Sequence, residues 1–233
     1  MTEGRRRPAL ERVAATLGIV AFAAIALGSG WAAAAYTGQA GEPYSPLNHW
    51  ISELGQLGVS SQAAVFNAAL IVGGAGFVVF VAGLAWTSPS RLAWAFGPVG
   101  AAAGIGGLLV GVFPMNDADQ HVIAASVFFN LGWIFIALAS LAFVRHRERR
   151  HPAWLAPVGA ASVVAFIAFL ASLQTDAFSR QRMASSGPIT DRPEVWIAPI
   201  LEWATLLSIM VWVLLASIAW WRALRNGTAG AAS

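Results

Sequence analysis

Six long apolar runs, set apart by short polar stretches, divide the chain at about 13–36, 63–86, 92–113, 121–144, 153–174 and 195–221. Each run is 22 residues or more, and about 20 helical residues cross a hydrocarbon core. Lipid cannot satisfy backbone N–H and C=O groups, so such segments must be helical. The alternation that a membrane barrel strand requires is absent. The pattern therefore predicts an all-α, polytopic integral membrane protein. It reads as one six-helix transmembrane domain over 1–226 with a short disordered tail at 227–233. Span three carries glycines at four-residue spacing, Gly100/Gly104 and Gly107/Gly111, which lets helix backbones approach closely in lipid. That spacing places span three centrally, with packing inside one bundle favoured over dimerisation.

Between spans one and two the period changes. Ser45-Pro46 is a helix-start signal with proline in the first turn. Beyond it Leu47, Trp50, Ile51, Leu54 and Leu57 recur at helical spacing, while Asn48, His49, Ser52, Glu53 and Gln56 take the other face. This predicts a short amphipathic helix at the outer interface or folded over the bundle.

Composition agrees with the pattern. Of 233 residues, 58% are hydrophobic and 11% charged, against about 25% charged in an ordinary soluble domain. The absence of cysteine excludes disulfides, thiolate metal sites and cysteine nucleophiles. All fourteen basic residues are arginines, and their placement orients the chain. Arg5, Arg6, Arg7, Arg12, Arg91, Arg145, Arg147, Arg149, Arg150, Arg222 and Arg225 fall on one side. Only Arg180, Arg182 and Arg192 fall on the other. The positive-inside rule then puts both termini in the cytoplasm, in a multi-pass inner (plasma) membrane protein. Trp31, Trp86, Trp94, Trp154, Trp196, Trp220 and Trp221 lie near span ends, where amphipathic rings suit the interface. Membrane lipids are the expected partners. Arginine clusters broken up by apolar runs do not suggest nucleic acid. A cleaved signal peptide is the competing reading of the N-terminus, but the first apolar run is about 24 residues, against about 7–15 in a signal sequence.

Candidate chemistry gathers on the outer side. His49 and Glu53 stand one helical turn apart, as do Asp117 and His121 if span four begins there. With His49, Asp117 and His121 as ligands, these pairs could hold a divalent metal such as zinc, with Glu53 or Glu202 as the catalytic base. Glu202 lies roughly 9 Å below the start of span six at 1.5 Å per residue. A carboxyl inside a span costs about 2.5–3.5 kcal/mol on insertion scales, so it should face the bundle interior or water. His121 and Asn67 are its expected partners. Ser52, Asn67, Asp119 and Asn130 complete the expected pocket. Each has a plainer role as well. A solvated helix face accounts for His49 and Glu53, helix capping for Asp117 and Asp119, and interhelical hydrogen bonding for Asn67 and Asn130. The outer loop from Thr175 to Glu194 is longer than an ordinary connection, as either a lid or a merely mobile loop would be.

The run Tyr44-Ser45-Pro46, Ile51-Ser52-Glu53-Leu54-Gly55 and Phe66-Asn67, with Gly111-Val112-Phe113-Pro114, His121 and Phe128-Phe129, resembles a bacterial and archaeal membrane family. That family is known as a domain of unknown function, number nine-nine-eight. The resemblance covers roughly 44–143 and implies a six-helix bundle with no assigned activity. Three functional readings follow. The foremost is a non-catalytic lipid-binding, scaffold or sensor protein. The others are a metal-assisted hydrolase or transferase on lipid or envelope substrates, and a small-solute or proton-coupled transporter with Glu202 as proton carrier.

Overall fold

The computed structural model describes residues 3–146, 150, 152–175 and 192–229. All described regular structure is helical. Six long helices, α1 (Glu3–Ala34), α2 (Ala63–Thr87), α3 (Ala93–Val112), α4 (Ala118–His146), α5 (Leu155–Thr175) and α6 (Ile197–Ala229), coincide with the six apolar runs. All six are long and apolar enough to cross a membrane. A seventh element, the short 3₁₀ helix η1 (Ile51–Gly55), lies between α1 and α2. Of the expected tail, α6 takes in residues 227–229, and 230–233 lie outside the described residues. Most of the long loop expected to be a lid or merely mobile, residues 176–191, lies outside them too.

Neighbouring helices pack in chain order, α1 on α2, α2 on α3, and so on to α6, which closes back on α1. The bundle is thus a ring, and α3 is one of its staves rather than its centre. Its glycines serve two neighbours. A Cβ at Gly106 would stand 2.8 Å from Phe128 N and 2.9 Å from Ala124 O of α4. On the other side, a Cβ at Gly111 would stand 2.5 Å from Asn67 O of α2. Close backbone approach in lipid needs small residues at such points.

The half of the ring nearest the chain termini is filled by aromatic side chains. Phe135 meets Phe77, Phe96 and Trp212 edge-on at centroid separations of 5.5, 6.3 and 5.6 Å. Trp212 stacks on Phe143 at 5.7 Å. Edge-to-face and stacked pairs of this kind add to the gain from burial. Trp220 is wholly buried and Trp196 nearly so, so neither sits as an interface ring, whereas Trp31, Trp86, Trp94 and Trp154 are exposed as expected. Glu11 closes this end, its Oε2 lying 3.0 Å from Arg150 Nη1 and accepting from Trp220 Nε1 at 3.3 Å.

The opposite end is closed by the segment 36–57. It differs from the amphipathic helix expected there. Only Ile51–Gly55 is helical, and tightly wound, with Glu53 N donating to Trp50 O at 3.2 Å and Gln56 N to Glu53 O at 3.1 Å. Trp50, Ile51 and Leu54 are buried as the period required, but so are His49 and Glu53, while Leu47 and Leu57 are exposed. The physical reason is that this segment does not float at an interface with one wet side. It plugs the mouth of the ring, and the groups around it cover both of its faces.

Candidate functional site

The plug is held by polar groups that account for several expected site residues. Glu53, 3% exposed, accepts from Arg192 Nη1 and Nη2 at 3.1 Å each. It also accepts from Trp50 N at 2.8 Å and from the Tyr36 hydroxyl at 3.4 Å. A carboxylate gripped by a two-pronged guanidinium, an amide and a phenol is saturated. In this arrangement Glu53, a candidate catalytic base in the sequence, serves as an anchor of the plug. Arg192 also donates to Asn48 O at 3.1 Å and lies 3.7 Å from Glu42.

His49 is buried against this anchor. Its Nδ1 stands 2.8 Å from Asn48 Oδ1, and its Nε2 is buried without a hydrogen-bond partner, 3.9 Å from Glu42 Oε1. Burial chiefly, and the Arg192 charge, lower the pKa of His49 from its ordinary value, while Glu53 and Glu42 act against that. Burial likewise pushes both nearby phenols upward, joined at Tyr36 by the negative charge of Glu53, so both stay protonated. Tyr44 donates to the carbonyls of His49 and Trp50 at 3.3 and 3.1 Å and accepts from Trp203 Nε1 at 2.7 Å. On the other flank, Asn67 Nδ2 donates to Gly55 O at 2.9 Å. Asn116 exchanges two hydrogen bonds with the backbone of Leu57, at 2.8 and 3.0 Å.

Beneath the plug lies a partly open cavity of about 100 Å³. Its walls come from α1, α2, α3, α4 and α6, and its roof is Ile51 and Ser52. The lining is apolar, with Phe77, Phe128, Leu206 and Met210 among its walls, except for Ser52, His121 and Glu202 toward the plug. Glu202, 6% exposed, accepts from Ile51 N at 2.8 Å through Oε2, so the roof itself hangs on this carboxyl. His121 Nδ1 lies 2.8 Å from the Phe113 carbonyl. A carbonyl can only accept, so Nδ1 carries the hydrogen, and Nε2 of the neutral ring is an acceptor.

The family model described as "Protein of unknown function (DUF998)" matches residues 24–219. The chain belongs to this family. The DUF998 match takes in the plug, the three polar lining groups and, of the α1 wall, Ile25 but not Ala21 or Phe22. No curated protein and no solved structure matches the chain.

Set against the expected site of this DUF998 protein, the structure unites some residues and separates others. Ser52, His121 and Glu202 share one cavity. The metal trio is not assembled: among the described residues no three His, Cys, Asp or Glu side chains converge. His49 belongs to the plug anchor, His121 to the cavity, and Asp117 is exposed ahead of α4. Asp119 is exposed in the first turn of α4. Asn130 is exposed on the outside of the ring, its Nδ2 donating to Ser126 O at 2.8 Å. Asn67 serves the plug and not Glu202. Sequence reasoning missed Tyr36, Glu42 and Asn116 as plug contacts, and it counted Arg192 only as an outer charge. The one available signal was that eight of the eleven acidic residues lie on the side away from the termini or near its membrane edge, which calls for a nearby cation.

Proposed function

We propose that the protein binds an amphiphile within the membrane without transforming it, its plug facing away from the cytoplasm. The hydrocarbon part of the ligand lies among the cavity walls, and the polar head meets Ser52, His121 and Glu202 under the plug. The observation that carries this reading is a cavity apolar throughout except for three polar groups at one end. Ligand sites of this kind are mostly apolar, with a few placed polar groups that fix orientation. A dry apolar cavity of about 150 Å³ takes a benzene-sized guest, so about 100 Å³ suits a head and the first carbons of a chain, with the remainder leaving through the open side. Among the described residues the ring's other half is filled by aromatic side chains and holds no buried ionisable group short of Glu11, which supports binding over transport. The orientation rests on eleven of fourteen arginines lying on the side of the termini.

Gly107 gives a clean test. A Cβ there would sit 3.5 Å from Phe128, an ordinary contact, and a larger side chain would reach into the cavity that Gly107 lines. Native mass spectrometry of the protein released from membrane nanodiscs should find a retained amphiphile in the natural protein and lose it in Gly107→Leu. Equal retention by both would remove the reading.

A further inference from the structure

The cavity's polar end is one-sided in a way that identifies the head group. All three polar side chains there have a free acceptor. His121 Nδ1 is committed to Phe113 O, leaving the Nε2 lone pair. Glu202 gives Oε2 to Ile51 N, leaving Oε1. The Ser52 hydroxyl lines the same space and accepts as well as donates. A carboxyl in apolar surroundings either takes up a proton or is matched by a counter-charge and hydrogen bonds, and among the described residues no arginine lines the cavity, while the chain has no lysine. The guanidinium that grips the plug, Arg192, is spent on Glu53 and Glu42. A ligand that brings its own cation would supply the match for an ionised Glu202.

We infer that the amphiphile's head is a primary ammonium, bound through its three N–H groups to Glu202 Oε1, His121 Nε2 and Ser52 Oγ. An ammonium presents three donors and no acceptor, which is the complement of this set. A hydroxyl head brings one donor and no charge. A carboxylate or phosphate head would set negative charge against Glu202 with no cation to offset it. The tail follows the apolar walls past Leu206 and Met210. This inference rests on the amphiphile reading and goes beyond it in naming the head.

The test uses the full chain in nanodiscs of zwitterionic lipid and three probes of equal chain length: octylamine, octanol and octanoate. The amine should bind about tenfold or more tighter than the alcohol, as hydrogen bonds to a charged group imply, and octanoate should bind weakest. Glu202→Gln keeps an acceptor for Ile51 N but drops the charge. It should weaken octylamine about tenfold and octanol by a clearly smaller factor. Ser52→Ala, which leaves Glu202 in place, should cost the amine a smaller factor and serves if Glu202→Gln fails to fold. Equal affinity for amine and alcohol, with both lost in Gly107→Leu, would overturn the head assignment and leave the amphiphile reading standing. Binding of none of the three probes would overturn both.

Discussion

At the residue scale, buried charge is the organising fact of the plug. Arg192 and Glu53 sit almost out of water, their side chains 11% and 4% exposed, and removing one partner strands the other. Arg192→Ala should therefore cost about 3–5 kcal/mol of stability, read as a fall in the unfolding midpoint in detergent. Glu53→Gln, which keeps an acceptor for Trp50 N, should cost less. His49 sets a pH dependence. Its folded pKa lies below the ordinary 6.5, so the unfolded chain takes up a proton that the folded chain resists. The His49 contribution is then complete above pH 6.5 and is lost as pH falls from there toward the folded pKa. Unfolding midpoints at pH 7.5 and 5.5 should separate further in the natural protein than in His49→Gln, and equal separations would refute the role. Glu202 was legible in the sequence because a lone carboxyl within an apolar span has few places to point. The burial of His49 and Glu53 was not legible. Spacing along one segment shows which side chains share a face, but not what covers that face. Their covering residues Tyr36, Glu42 and Arg192 lie up to 143 positions away in the chain.

At the scale of elements, the six helices could be read from hydropathy because the bilayer fixes their length and forces their hydrogen bonding. The plug could not, since its conformation is set by tertiary contacts rather than by period. Five residues of 3₁₀ helix stand where a longer amphipathic helix was expected. Leu47 was drawn out of the apolar face by its backbone, which accepts from Trp196 N at 2.8 Å. Glycine spacing in α3 correctly signalled close packing but not its direction, because two neighbours use the same helix. Gly106 and Gly107 make that distinction testable. Gly106→Ala drives a Cβ into the α4 backbone and should cost about 1–3 kcal/mol. Gly107→Leu, facing the cavity, should leave the unfolding midpoint nearly unchanged. Thermal unfolding of the two variants side by side decides whether the α3–α4 seam and the cavity wall lie where these contacts put them.

For the whole molecule, the ring has two unlike ends: one filled with aromatic side chains and latched by Glu11, Arg150 and Trp220, the other plugged above a cavity. Orientation in the membrane is open to direct measurement because the chain has no cysteine of its own. Single cysteines at the exposed Leu57 and Asn226 should differ, with Leu57→Cys labelled by an impermeant maleimide on intact cells and Asn226→Cys only after permeabilisation. The reverse result would invert the orientation without touching the fold. The central claim, that the cavity under the plug receives the chain of an amphiphile, is tested most directly by photo-crosslinking. An alkyl amphiphile carrying a diazirine near its head would be irradiated with the protein in nanodiscs and the labelled residues mapped by peptide mass spectrometry. Labels on Phe77, Leu206 and Met210 that disappear in Gly107→Leu are the predicted result. Labels confined to lipid-facing residues such as Ile123, Val164 and Leu207, unchanged in that variant, would contradict it.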